Sequence, residues 1–184
     1  MEPGSARPGG AERGAMKRFL DGLLTNTEGR LADTGVEGHL FPIETIVFDR
    51  RTILKCRYSC PAWGRRWTCN DDAWGPDELI PLLSMYKRVA VLAGVDGDEL
   101  FPAALAFERA AFARGHYYAL AVAVTPCYTC EACGYPREEC RHKLDFRPES
   151  AMAGIDTLKT LDGLGIARTS AEGGFVRVSF VFLD

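Results

Sequence analysis

Short unbroken apolar runs alternate along this chain with stretches whose apolar positions recur at helical spacing. Val89 to Ala93 and Tyr117 to Val124 are continuous apolar runs, the mark of strands covered on both faces. Between them, Asp98 to Arg114 gathers Leu105, Ala106 and Phe112 on an apolar helical face and then meets Gly115, a helix stop. Strand, helix, strand at this spacing predicts a right-handed parallel crossover. Phe175 to Leu183 is rich in β-branched and aromatic residues and predicts a final strand.

The remaining patterns are shorter. Met16 to Leu31 predicts a first helix with Phe19, Leu20, Leu23 and Leu24 on one side. Thr45 to Phe48 and Thr52 to Leu54 flank Asp49-Arg50-Arg51 and predict a hairpin running into Cys56. Gly75-Pro76-Asp77 predicts a helix start with Pro76 in the first turn, and Pro81 is expected to kink or restart that helix. Ser150 is the expected cap of a helix whose Ile155, Leu158 and Leu161 face the core and which ends near Gly163. The sum is an α/β fold: a single-domain sandwich over residues 16–184, with a mixed, partly parallel sheet and two cysteine-rich loops at strand ends.

Composition narrows the function classes. A chain of 184 residues that is 47% hydrophobic and 26% charged has the make-up of a soluble globular protein. With 22 basic against 25 acidic side chains, no nucleic acid partner is expected. No apolar run approaches membrane-spanning length. Met1 to Ala15 holds four Gly, two Pro and two Arg and reads as a disordered tail, not a signal peptide. The expected location is the cytoplasm, a reducing compartment where thiols persist.

Candidate chemistry is concentrated in the cysteines. All seven lie in two windows of fourteen residues: Cys56, Cys60 and Cys69, then Cys127, Cys130, Cys133 and Cys140. An odd count fits a complete disulfide framework badly. The second window repeats the x2 spacing of bacterial ferredoxins, with its fourth cysteine six residues on, and four thiolates suffice for a local [4Fe–4S] site. Gly134 behind Cys133 would relieve crowding of a backbone wrapped round such a cluster. Zinc remains the competing metal, although zinc sites more often arise from two separated cysteine pairs. His142, two residues past Cys140, is a substitute donor or a surface histidine.

The first window offers three thiolates. Either an open position is completed by a non-cysteine ligand, for which Asp71 and Asp72 are near in sequence, or the two windows exchange ligands. The alternative reading of Cys56 is a small buried hydrophobe at a strand end. Trp63, Trp67 and Trp74 cluster here, as water-excluding walls or as core anchors. Arg57, Arg65 and Arg66 flank this window and Arg137, Arg141, Lys143 and Arg147 the other, either favouring a reduced cluster and an acidic partner or simply solvated. No phosphate loop, nucleophile elbow or zinc-protease motif is present, and His39, His116 and His142 are the only histidines, so no catalytic residue is assigned.

From about Phe41 to Asp184 the chain resembles a prokaryotic family of predicted metal-binding proteins with a cysteine-rich domain of unknown function. The carriers are Cys56-Arg-Tyr-Ser-Cys60-Pro-Ala-Trp-Gly64 leading to Cys69, and Pro126-Cys127-Tyr-Thr-Cys130-Glu-Ala-Cys133. Cys140-Arg-His142, Arg147-Pro148 and Gly154-Ile155-Asp156 are also similar to that family. The resemblance implies metal or iron–sulfur binding at the seven cysteines and supplies no reaction. One departure is Asn70-Asp71, where the family has two prolines after its third cysteine. The expectation is one or two [4Fe–4S] clusters, or zinc in the alternative. The roles in view are electron transfer to a redox protein partner, an enzyme with an open iron, or a zinc-stabilised interaction domain, without nucleic acid or membrane.

Overall fold

The computed structural model describes residues 36–123, 125, 127 and 129–184. Their elements run β1 (Glu37–Pro42), a 3-10 turn (Ile43–Thr45), α1 (Thr52–Ser59), α2 (Pro76–Leu83), β2 (Arg88–Gly94), α3 (Gly97–Ala113), β3 (Leu120–Val122), α4 (Thr157–Leu164) and β4 (Arg177–Leu183). The expected tail over 1–15 and helix over 16–31 lie outside the described residues. No described helix is long and apolar enough to cross a membrane.

The strands form one sheet in the order β1-β2-β4-β3, and every neighbouring pair is antiparallel. The mixed, partly parallel sheet expected from the sequence is therefore wrong. The helix α3 does connect two strands of one direction, but β2 and β3 are not neighbours. The final strand β4 inserts between them, pairing along β2 from Arg88↔Leu183 to Gly94↔Arg177 and with β3 from Leu120↔Phe182 to Val122↔Phe180. From Val178 to Leu183 every residue of β4 is wholly buried, so the strand with most to hide takes a central place.

Alternation along the strands builds two cores. Ala90, Leu92, Ala121, Val181 and Leu183 face α3, meeting Leu100, Ala104, Phe107 and Ala111. Val89, Val91, Val122, Phe180 and Phe182 face the other way, against Leu79 and Leu83 of α2, Leu161 of α4 and Ile155. Each fully buried side chain of this kind contributes about 1.5–3 kcal/mol of transfer free energy.

Several boundaries differ from expectation. The hairpin before Cys56 is replaced by the 3-10 turn and α1. Asp49 starts the helix, with the Thr52 amide and hydroxyl both donating to its carbonyl (3.1 and 2.9 Å). The β-branched residues read as a strand, but the peptide groups of 47–49 bond instead to the 154–156 segment. Helix α2 begins at Pro76 as expected and continues through Pro81. β3 is shorter than its apolar run, because Tyr117 and Tyr118 are exposed in a turn. Ser150 caps no helix: Asp156 caps α4, and Gly165, at φ +68°, stops it.

Candidate metal centre

The first cysteine window leaves a helix, not a strand. Cys56 is buried within α1, and Cys60, one turn later, is the cap residue whose amide donates to the Cys56 carbonyl (3.3 Å). Pro61 forbids another helical turn and pushes Cys60 into extended backbone. The chain then folds back, the Gly64 amide reaching the Cys69 carbonyl at 2.8 Å. Gly64 takes φ +68°, which a side chain would resist.

Asn70 fixes this loop. It is 1% exposed, and its amide nitrogen donates to the Arg66 and Trp67 carbonyls (2.7 and 3.0 Å). Its oxygen accepts from the Asp72 and Ala73 amides (2.8 and 3.0 Å). At Asn70 a saturated buried amide therefore sets the turn.

The second window rides on a long loop pinched at its base. The Ala123 amide donates to the Pro148 carbonyl (2.9 Å), and the Ser150 amide donates back to Ala123 (2.7 Å). Arg147 adds a forked ion pair with Glu108 of α3, whose Oε2 also accepts the Ala121 amide of β3. Gly134 is needed, but by Glu138: a Cβ there would lie 2.9 Å from the Glu138 Cβ.

The two loops interlock. Arg66 Nη1 donates to the Cys130 carbonyl (3.2 Å), and Trp67 Nε1 to the Glu138 carbonyl (3.1 Å). Tyr135 packs edge-on against Trp67 at 5.0 Å and donates to Asp72 at 3.1 Å. Trp74 is largely exposed and builds no wall. The expected basic patch is largely neutralised, since Arg57 pairs with Asp71, Arg141 with Glu138 and Lys143 with Glu139. His142 is exposed, 3.9 Å from Asp145, and His116 bonds to the Asp184 carbonyl.

All seven cysteines are free thiols, with Cys56 and Cys69 buried and the others partly so. Burial pushes Cys56 up to about 12, and negative charge on Glu149, Cys69 and Cys60 adds to the shift. Burial likewise pushes Cys69 up to about 11, with Glu149, Cys60 and Cys127 adding and a hydrogen bond with Thr68 opposing.

Sequence reasoning missed Glu149, which has no ligand-like spacing from any cysteine. The pairing of 47–49 with 154–156, and of Thr52 Oγ1 with the Ala151 carbonyl (2.7 Å), sets it beside α1. Cys56 Sγ donates to its Oε2 at 3.7 Å. Burial pushes the Glu149 carboxyl up, while bonds from Ser150, Ala151 and Met152 hold it down. Asp71 and Asp72, the carboxylates nearest in sequence, are instead exposed and engaged by Arg57 and Tyr135.

A donor set of free thiols with one carboxylate suits a thiophilic metal or cluster. Among the described residues, no three His, Cys, Asp or Glu side chains converge on one point. No curated protein and no solved structure matches the chain. Residues 39–183 match the model of the family described as predicted metal-binding protein (DUF2284), and the chain belongs to that family.

Proposed function

We propose that this chain is an iron–sulfur protein whose Cys127, Cys130, Cys133 and Cys140 hold a [4Fe–4S] cluster, beside a second thiolate set of Cys56, Cys60 and Cys69. Its role is to pass electrons to a protein partner. The observation that carries this reading is the joining of the two cysteine loops, Arg66 Nη1 donating to the Cys130 carbonyl and Trp67 Nε1 to the Glu138 carbonyl. Seven unpaired thiols are a donor set of the kind a cluster uses. A bound cluster would supply one-electron exchange, at a potential set by burial and by hydrogen bonds to sulfur. The chain's own contribution is to orient the loops through Asn70 and Arg147 and to cover their junction with Trp67 and Tyr135.

A second reading, an enzyme with an open iron at the first window, is favoured by one feature. A cleft of about 310 Å³ opens beside that window, lined by Arg50, Arg57, Trp63, Asn70, Asp71 and Met152 among others.

Iron, zinc and acid-labile sulfide are to be measured per chain on protein purified without oxygen. About four irons with matching sulfide are expected from a four-cysteine cluster. Cys140→Ser should abolish the reduced protein's paramagnetic signal and Cys69→Ser should leave it; loss in both would mean ligands shared between the windows. A signal altered by small ligands would favour the enzyme. Stoichiometric zinc without sulfide would overturn the redox reading.

A further inference from the structure

We propose that this chain forms a two-fold symmetric dimer through an apolar strip at the end of the sheet where β2 and β3 enter it and β4 leaves. The inference goes beyond the metal-binding reading and holds whichever metal the cysteines bind.

The strip itself is the first argument. Leu82, Met85, Phe112, Tyr117 and Tyr118 stand open to solvent, at exposures between 45% and 78%. The segments that bear them are tied together. At the end of α2 the Met85 amide donates to the Leu82 carbonyl (3.1 Å). The next residue, Tyr86, lies against Phe182 of β4 with ring centroids 5.5 Å apart, and its hydroxyl donates to the Tyr118 carbonyl (2.5 Å). Tyr117 then meets Phe112 of α3 edge-on at 5.6 Å. Single open apolar side chains are ordinary on a protein surface, whereas a connected run of them marks an interaction site.

The second argument is area. A large side chain covers on the order of 200 Å², so five of them at these exposures leave roughly 600 Å² open. The largest apolar patch on a typical monomer is about 300–600 Å², which puts this strip at the upper limit. A stable protein interface buries about 800 Å² on each side, so the strip provides most of it and its polar rim the rest.

The third argument is that the surface answers itself. Tyrosine, phenylalanine and methionine are the side chains enriched at interface centres, and aromatic rings pack well against their own kind. At the rim, the Lys87 amide donates to the Leu183 carbonyl (3.2 Å), which sets Lys87 beside Asp184. Both are exposed, and Lys87 has no ion-pair partner among the described residues. A two-fold pairing lets the lysine of each copy meet the aspartate of the other, so one patch serves both subunits.

The test is sedimentation velocity of the full-length protein over a hundredfold range of micromolar concentrations. It is purified without oxygen and kept with reductant, so that its free thiols form no disulfide between chains. The mass should rise to twice the 20.2 kDa of one chain. Met85→Glu or Tyr118→Glu should weaken association at least about 30-fold, the effect of a residue at an interface centre. Phe175→Glu, at a side chain as exposed as Met85 but beyond the other end of β4, should leave association unchanged. Hydrogen exchange of the unmodified protein should slow over 82–86 and 112–118 as concentration rises, a readout independent of how the variants fold. A mass of one chain throughout would overturn the inference and leave the strip to a different protein. A dimer that survives both glutamate substitutions, or that is protected only elsewhere, would overturn it as well.

Discussion

Replacing Glu108 by Ala removes the strut that fastens the second cysteine loop to the sheet. Glu108 and Arg147 have side chains only 10% and 16% exposed, and they meet through a forked pair in which Arg147 Nε reaches Oε2 at 2.8 Å. Oε2 also accepts the Ala121 amide at 2.5 Å. Ala121 lies in a strand that, among the described residues, has no strand neighbour on its outer side, so the carboxylate serves there in place of one. Without it, Arg147 keeps the Leu144 and Phe146 carbonyls (3.1 and 2.8 Å) and only the weaker influence of Asp145, a carboxylate already paired with Arg109.

Breaking a buried pair from one side costs about 3–5 kcal/mol. In a domain of this size each kcal/mol moves the midpoint by about 2–4 °C, so the loss should be about 10 °C. Differential scanning calorimetry on metal-free protein measures it without the contribution of a bound metal. Glu108→Leu with Arg147→Met should recover most of the loss, because no buried charge is then left alone. A drop of less than about 3 °C, or coupling below about 0.5 kcal/mol between Glu108→Ala and Arg147→Met, would refute the reasoning.

Asn70→Ala strips two amides and two carbonyls of their partners and should cost about 2–3 kcal/mol in urea unfolding. Ser179 Oγ is buried with no hydrogen-bond partner among the described residues, so Ser179→Ala should leave stability unchanged or raise it by about 1 kcal/mol; a clear loss would reveal a hidden partner. Lys159 bonds to Asp156, the cap of α4, and holds its carboxyl below the usual carboxylate range. A lowered folded value means stability that is present above the unfolded value of about 3.9 and lost as the pH falls through the folded one. Asp156→Ala should cost about 1 kcal/mol at pH 7 and flatten that acid limb in urea titrations at successive pH values.

Elements carrying a long apolar signal were legible from the chain alone. β2, α3 and β4 sit where the continuous runs and the helical stripe put them, because burial on both faces leaves little choice of period. Strand order was not legible. A crossover helix predicts two strands of one direction, but nothing local announces that a strand some fifty residues later will slip between them. Thr45 to Leu54 shows the same limit at short range, since its β-branched residues meet a segment a hundred positions away that rewards a turn and a helix. At the candidate site the thiols were visible by spacing. Glu149, Asn70 and Glu108 were not, because a carboxylate or amide carries no spacing signal until the fold chooses its neighbours.

The junction of the two loops is asymmetric in what it asks of each side. In two of the bonds the first loop gives side chains, the Arg66 guanidinium and the Trp67 indole, and the second answers with the peptide oxygens of Cys130 and Glu138; Tyr135 is the second loop's side-chain contact. Every residue type presents the same peptide oxygen, so this recognition is blind to the identity of position 138. Mutational drift at such second-loop positions, Tyr135 apart, can therefore change the loop's outward character, and with it any surface offered to a partner, while the loop stays seated. Drift at Arg66 or Trp67 has no such freedom. The fold thus divides one site into a half that must stay constant and a half that can diversify.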